Sequence, residues 1–185
     1  MTFFNRSVVD GRIAESIVEQ IFLSQGYDVF RFGIENTAPG LPSQMSNAPK
    51  SRLIIKSMPD FIVRKNGEAF LLEVKFRKDG GFDLSSIGND YPFDGVFFIV
   101  VSLANNQCEI SCISLEELES GRRLDGGPDN RLGDRPEFVI DKEVLENLRR
   151  YAFRIFAGYK GVNDQFNQAA TSINVGSHNE SPPQL

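Results

Sequence analysis

Apolar residues recur at two different spacings along this chain, and these spacings predict its helices and strands. Between residues 10 and 24 they repeat every three or four positions, the spacing of an amphipathic helix, and Gly26 provides a C-terminal stop. The segment 142–156 repeats this pattern after Asp141, a residue suited to cap a helix N-terminus. We therefore expect one long helix near each end of the folded region.

Short apolar or alternating segments between these helices predict strands. Lys65-Asn66-Gly67-Glu68 has the composition of a tight turn and predicts a β-hairpin. Segments rich in Pro, Gly, Ser or Asp predict loops at 33–58 and 121–136, and Ser114 with Glu117 predicts a capped short helix. The predicted strands are 27–32, 61–63, 69–76, 96–101 and 108–113. The expected fold class is therefore α/β, with a mixed central sheet that begins antiparallel and is flanked by helices.

The chain divides into one domain and a tail. Residues 162–185 contain no Lys or Arg and are dominated by Asn, Gln, Ser, Pro and Gly, a composition typical of disorder. We therefore expect a domain over 1–161 and a disordered tail over 162–185.

Composition excludes several classes of protein. With 41% hydrophobic and 24% charged residues in 185, the chain is neither fibrous nor wholly disordered. It has neither a run of about 20 apolar residues nor a signal-like start, so we expect a soluble, cytoplasmic protein with no membrane partner. His178 is the single histidine, which leaves little for a histidine-based active site or zinc site. Cys108 and Cys112 fit small buried apolar residues.

The charge is unevenly distributed. The whole chain has a net charge of −5, which argues against a protein that binds nucleic acid over its entire surface. Residues 50–78, however, contain eight basic and three acidic residues, a net charge of +5, whereas residues 79–146 have a net charge of −10. A local phosphate-binding surface is therefore compatible with the composition.

The predicted hairpin carries the most informative polar residues. Strand alternation puts Glu73 and Lys75 on one face and Phe70, Leu72 and Val74 on the other. Asp60 opens the neighbouring strand, so the hairpin can bring its carboxylate beside Glu73. Two adjacent carboxylates favour a divalent cation, and such a site suits hydrolysis of a phosphodiester bond. Lys75 could orient the attacking water, act as the base, or stabilise charge on the phosphate.

This arrangement resembles the PD-(D/E)XK nuclease superfamily, in particular its Holliday junction resolvase-like and restriction-endonuclease-like members. The matching segments are the helix at 11–15, the strand at 29–32, Pro59-Asp60 and Glu73-Val74-Lys75. The resemblance covers about residues 10–78 and implies a restriction-endonuclease-like core. It departs from the superfamily at residues 79–95, where a crossover helix is expected and little helix is predicted.

The resemblance also implies roles. Asp60, Glu73 and the Val74 carbonyl would be metal ligands, Lys75 the catalytic lysine, and Glu15 the acidic residue that completes the site. Glu19 is the alternative to Glu15, although it lies further into the solvent face of the helix. The expected activity is a Mg²⁺-dependent or Mn²⁺-dependent endonuclease acting on DNA, with a homodimer implied. The candidate phosphate contacts are Arg64, Lys65, Arg77 and Lys78.

Other interpretations stay open at this point. Asp60 could be an ordinary turn residue, and Glu73 with Lys75 an ordinary ion pair on a solvated strand face. The chain could also be a non-catalytic nucleic-acid-binding or assembly module that retains the nuclease fold. A third possibility is a protein-interaction module that docks through the acidic region 79–146.

Overall fold

A five-stranded mixed sheet forms the centre of the fold. The computed structural model describes residues 6–32, 49–87, 91–104, 107–127 and 129–175. The strands of this sheet are β1 (Asp28–Arg31), β2 (Phe61–Lys65), β3 (Glu68–Phe76), β5 (Val96–Ala104) and β6 (Gln107–Ser114). A separate two-stranded sheet consists of β4 (Gly81–Phe82) and β7 (Leu124–Asp125).

The strand directions agree with the predicted mixed sheet. The order is β1-β2-β3-β5-β6, in which β1, β2 and β3 pair antiparallel, β3 and β5 pair parallel, and β6 pairs antiparallel with β5. The β2–β3 hairpin turns at Asn66 and Gly67, whose φ angles of 54° and 85° suit a two-residue turn of the Asn-Gly type. This turn places Phe61 opposite Leu72, so the residue before β2 lies next to the centre of β3.

Within the described ranges, the α-helices beside the sheet are α1 (Arg6–Ser24), α2 (Pro49–Lys56), α3 (Leu115–Glu119) and α4 (Lys142–Val175). Among the residues that the structure describes, every helix is too short or too polar to span a bilayer. The predicted caps are confirmed. Ser114 and Glu117 form a capping box at α3, and Asp141 Oδ1 accepts hydrogen bonds from two backbone N–H groups of α4.

Two apolar clusters lie on opposite faces of the sheet. On one face, α1 and α4 pack over the first cluster, which includes Phe22, Leu72, Val74 and Phe156. On the other face, α3 packs over a second cluster that includes Phe82, Phe98 and Leu118. Both faces of β5 are therefore buried, as its continuous apolar sequence predicts.

Two segments differ from the sequence-based expectation. Residues 49–56 form α2 although 33–58 was expected to be a loop, and the rest of that segment up to residue 48 lies outside the described residues. Proline favours the first position of a helix, where its fixed φ fits and no N–H is required, so Pro49 starts this helix. Helix α4 continues to Val175, past residue 161, where a disordered tail was expected; residues 176–185 lie outside the described residues.

The connection between the parallel strands β3 and β5 contains little helix. Its described residues, 77–87 and 91–95, form strand β4 and a 3₁₀ turn over Leu84–Ser86. Close backbone packing holds the connection against β7, because a Cβ on Gly126 would lie 2.1 Å from the Asp79 carbonyl oxygen. The connection thus crosses the sheet on the face of the second cluster, where it lies near the charged side chains of β3.

Candidate active site

Glu73 and Lys75 project from the same face of β3, as predicted. Leu72 and Val74, which alternate with them, are buried in the first apolar cluster. Lys75 Nζ donates a 2.5 Å hydrogen bond to Glu73 Oε1, and the Glu73 side chain is only 12% exposed. This carboxylate is therefore largely removed from water, unlike an ordinary ion pair on a solvated strand.

Asp60 is fixed beside the centre of β3 by its backbone and by its side chain. Its carbonyl oxygen accepts a 2.9 Å hydrogen bond from Phe32 N, which follows β1. Its Oδ2 accepts a 2.7 Å hydrogen bond from Val74 N. The N–H and C=O of a strand residue point to the same side, so the Val74 carbonyl is also directed toward the side on which Asp60 lies.

Burial perturbs the pKa of both carboxyl groups. Burial, and then the charge of Glu73, raise the pKa of Asp60 to about 7. Burial also raises the pKa of Glu73, although the neighbouring Lys75 ammonium opposes this change. Glu73 Oε2 is buried and has no hydrogen-bond partner. Two carboxylates with unsatisfied negative charge are the kind of group that a cation stabilises.

Glu15, on helix α1, acts electrostatically on this pair. Its charge contributes to raising the pKa of both Asp60 and Glu73, so it acts on the same site. Glu15 Oε2 lies 3.3 Å from Arg12 Nη1 and 3.6 Å from Arg31 Nη1. Glu19, the alternative, instead forms a bidentate pair with Arg31, with distances of 2.9 and 2.7 Å. Glu15 is thus the helix carboxylate that acts on the carboxylate pair.

Arg31 is the residue that the sequence did not reveal. Its guanidinium pairs with Glu15 and Glu19, interacts with the charge of Asp60, and lies 5.1 Å from the centroid of the Phe61 ring. The positive charge of Arg31 therefore offsets the negative charges of Glu15 and Glu19 on α1 and that of Asp60. No local pattern could have indicated this role, because the partners of Arg31 meet only when α1 packs against the sheet.

The four basic candidates occupy two different places. Arg64 pairs with Asp28 at 2.7 Å, and Lys65 Nζ donates to the Gln25 carbonyl oxygen at 2.6 Å. Both lie at the hairpin turn, the opposite end of β2 from Asp60. Arg77 and Lys78 directly follow β3, near Lys75, and Lys78 is exposed. Arg77 and Lys78 thus follow the strand that carries Glu73 and Lys75, whereas Arg64 and Lys65 lie at the far end of the hairpin.

The residues present suit a cation that is only partly held by protein. Within the described ranges, no group of three or more His, Cys, Asp and Glu side chains is arranged to hold a metal ion. Mg²⁺ commonly uses one or two carboxylates and completes its coordination with water and phosphate oxygens, so Asp60 and Glu73, with its unpartnered Oε2, fit that ion. Comparison with protein-family models, curated proteins and solved structures gave no match. The function is therefore inferred from this cluster of side chains.

Proposed function

We propose that this protein is a Mg²⁺-dependent endonuclease that hydrolyses phosphodiester bonds in DNA and has a restriction-endonuclease-like core. One observation carries the proposal. Asp60 and Glu73 converge as two largely buried carboxylates, and only one Glu73 oxygen is neutralised, by Lys75. A structural ion pair does not require a second buried carboxylate, whereas Mg²⁺ commonly uses one or two carboxylates as ligands.

Asp60 and Glu73 would hold the divalent ion, and the Val74 carbonyl is directed so that it could contribute. Mn²⁺ would suit the same oxygen ligands. A bound divalent ion supplies Lewis-acid chemistry: it lowers the pKa of a water ligand and offsets negative charge on a phosphate. The protein contributes fixed positions, since the Val74 N–H holds one oxygen of Asp60 and the Lys75 ammonium holds one oxygen of Glu73.

Lys75 is the proposed catalytic lysine. Its side chain is 31% exposed, so it is accessible both to Glu73 and to the solvent side from which a substrate would approach. From there it can orient the attacking water or stabilise the charge that develops on the phosphate. Glu15 contributes negative charge near the pair, and Arg31 keeps that helix carboxylate oriented.

Phosphate contacts are proposed for Arg77 and Lys78 in preference to Arg64 and Lys65. Arg77 and Lys78 follow the catalytic strand directly, whereas Lys65 is engaged by the Gln25 carbonyl oxygen and lies 4.9 Å from the centroid of the Tyr27 ring. A nucleic-acid backbone bound along the end of β3 would therefore meet two cations beside the carboxylates. A homodimer, with one such site in each subunit, is part of the same proposal.

The acidic region 79–146 is less suited to dock a protein partner. Several of its carboxylates are already paired within the fold: Glu117 with Arg135 at 2.8 Å, and Glu109 with Arg149 at 2.5 Å. The Arg149 side chain is only 13% exposed. Charges that are satisfied internally offer little to an external partner.

The proposal is tested by DNA cleavage with isosteric variants. Supercoiled, linear, branched and single-stranded DNA are incubated with Mg²⁺, Mn²⁺ or EDTA, and RNA is included to define the substrate class. Glu73→Gln and Lys75→Met are each expected to lower the cleavage rate at least about 100-fold, because each removes charge at the reacting phosphate. Glu68→Gln, the same exchange at the exposed end of β3, is the control and should cleave normally.

Two results would contradict the enzymatic function. One is that the wild-type protein cleaves none of these substrates with either metal ion. The other is that Glu73→Gln cleaves as fast as the parent. Binding of nucleic acid without cleavage would instead support the non-catalytic module.

A further inference from the structure

Two buried side-chain oxygens have no hydrogen-bond partner in the part of the chain that the structure describes: Glu73 Oε2 and the hydroxyl of Tyr91. Buried polar atoms are almost always paired in folded proteins, and those that are not often mark a functional site. Glu73 already belongs to the proposed site. Tyr91 lies in the connection between β3 and β5, and nothing in the proposed function uses it.

The two atoms belong to the same surface of the sheet. The Tyr91 ring packs against Phe98, with centroids 5.6 Å apart, and against Phe93 at 6.1 Å. Phe98 on β5 lies directly beside Glu73 on β3 in the parallel pairing of these strands. Side chains of residues paired in this way project to the same face of the sheet. Tyr91 therefore covers the neighbour of Glu73, on the face from which Glu73 projects.

The charges of the site also reach Tyr91. Burial raises the pKa of its hydroxyl, and the carboxylates of Glu73 and Asp60 raise it further. The hydroxyl consequently stays protonated near neutral pH and remains a hydrogen-bond donor. Neither this hydroxyl nor Glu73 Oε2 has a hydrogen-bond partner.

Ring packing alone does not account for this hydroxyl, because phenylalanine would make the same contacts with Phe93 and Phe98. We propose that Tyr91 is a positioning residue of the two-carboxylate site. Its hydroxyl donates a hydrogen bond to an oxygen atom, of water or of the substrate phosphate, that binds beside Glu73 Oε2. This inference rests on the proposed function, and it adds a neutral donor to a site whose other groups are charged.

The test uses Tyr91→Phe, which removes the hydroxyl and keeps the ring. Tyr151→Phe is the matched control, because it removes a hydroxyl from a side chain that is 61% exposed on α4. Mg²⁺ and Mn²⁺ affinities are measured by calorimetry without nucleic acid, and kcat and KM are measured on supercoiled plasmid DNA. Thermal unfolding in EDTA reports on packing alone.

We expect Tyr91→Phe to unfold at the same temperature as the parent or higher, because it loses an unpaired buried hydroxyl. A metal affinity that is 10–100-fold weaker, the range found for groups that support metal ligands, indicates that the hydroxyl binds water at the metal site. A loss of similar size in kcat/KM with unchanged metal affinity indicates that it binds the phosphate. Tyr151→Phe should match the parent in each measurement.

Equal metal affinity and equal kcat/KM in Tyr91→Phe and the parent would overturn this inference and leave the proposed function intact. A lower unfolding temperature in EDTA, with activity reduced only by the unfolded fraction, would overturn it as well, because the hydroxyl would then be structural. If the parent neither binds these metals nor cleaves DNA, both the inference and the proposed function fail.

Discussion

Replacing Asp60 with Asn is expected to make the metal-free protein more stable at alkaline pH, although it removes a candidate metal ligand. Asparagine has nearly the same shape, and its carbonyl oxygen can still accept the 2.7 Å hydrogen bond from Val74 N. The variant therefore loses mainly the negative charge that burial and Glu73 make unfavourable. Functional sites often carry such a local loss of stability.

The expected size follows from the pKa of Asp60, which is about 7 in the folded chain against an ordinary value of 3.8. At 1.36 kcal/mol per pKa unit, this difference corresponds to up to about 4 kcal/mol in the free energy of unfolding. Below about pH 4 the carboxyl is protonated in both the folded and unfolded states, so it costs nothing. As the pH rises to about 7, the unfolded chain releases its proton first, and the wild-type protein loses stability.

Urea unfolding followed by circular dichroism, in EDTA, measures this effect. We expect the free energy of unfolding of Asp60→Asn to exceed that of the wild type by about 1 kcal/mol at pH 4.5 and by up to about 4 kcal/mol at pH 8.5. Asp28→Asn is the matched control. Asp28 is 59% exposed and pairs with Arg64, so its replacement should change stability by less than about 1 kcal/mol at either pH.

Adding Mg²⁺ should narrow the difference in stability between Asp60→Asn and the wild type. An ion that binds only the folded wild type at ten times its Kd adds about 1.4 kcal/mol, whereas Asp60→Asn should gain much less. The reasoning is refuted if Asp60→Asn is no more stable than the wild type at pH 8.5 in EDTA. It is also refuted if the two proteins respond equally to Mg²⁺.

Three further predictions concern the fold and are checked by urea unfolding or by alkylation. Leu72→Ala, at a fully buried position in the first cluster, should lower the free energy of unfolding by about 2–5 kcal/mol; a smaller loss would mean that this side chain is not in the core. Gly126→Ala should lower the free energy of unfolding by about 2 kcal/mol more than Gly121→Ala. Both glycines have positive φ, but only at Gly126 would the added Cβ clash with a carbonyl oxygen, so equal losses would contradict this packing. Cys108 and Cys112 are buried, and burial raises the pKa of both thiols. Iodoacetamide at pH 8 should therefore modify them at least about 100-fold faster in urea than in the folded protein. Rapid labelling of the folded chain would contradict their burial.

Much of the fold could be predicted because local signals agreed with the tertiary structure. The Asn66-Gly67 turn fixed the register of β2 and β3, and strand alternation then put Glu73 and Lys75 on one face. Asp60 could be placed beside Glu73 for the same reason, because a two-residue turn leaves only one register. The expected nuclease activity, the metal ion and the roles of these residues stay predictions.

Other features depend on contacts between distant segments. The pairing of Arg31 with Glu15 and Glu19 requires α1 to pack beside β1, and the place of Tyr91 requires the path of the β3–β5 connection. Arg149 on α4 binds Glu109 and the Cys108 carbonyl oxygen, which belong to β6. Helix α2 lies where a loop is predicted, because proline suits the first position of a helix as well as a turn.

The hydrogen bond from Val74 N to Asp60 Oδ2 gives the site a built-in spectroscopic reporter. Strand β2 pairs with β3 only as far as Leu72, so beyond that point the Asp60 carboxylate takes the place of a strand partner for this amide. The ¹H and ¹⁵N chemical shifts of Val74 should therefore respond directly to any proton or cation that Asp60 binds. One amide resonance would follow occupancy of the site in solution, without a substrate and without a substitution.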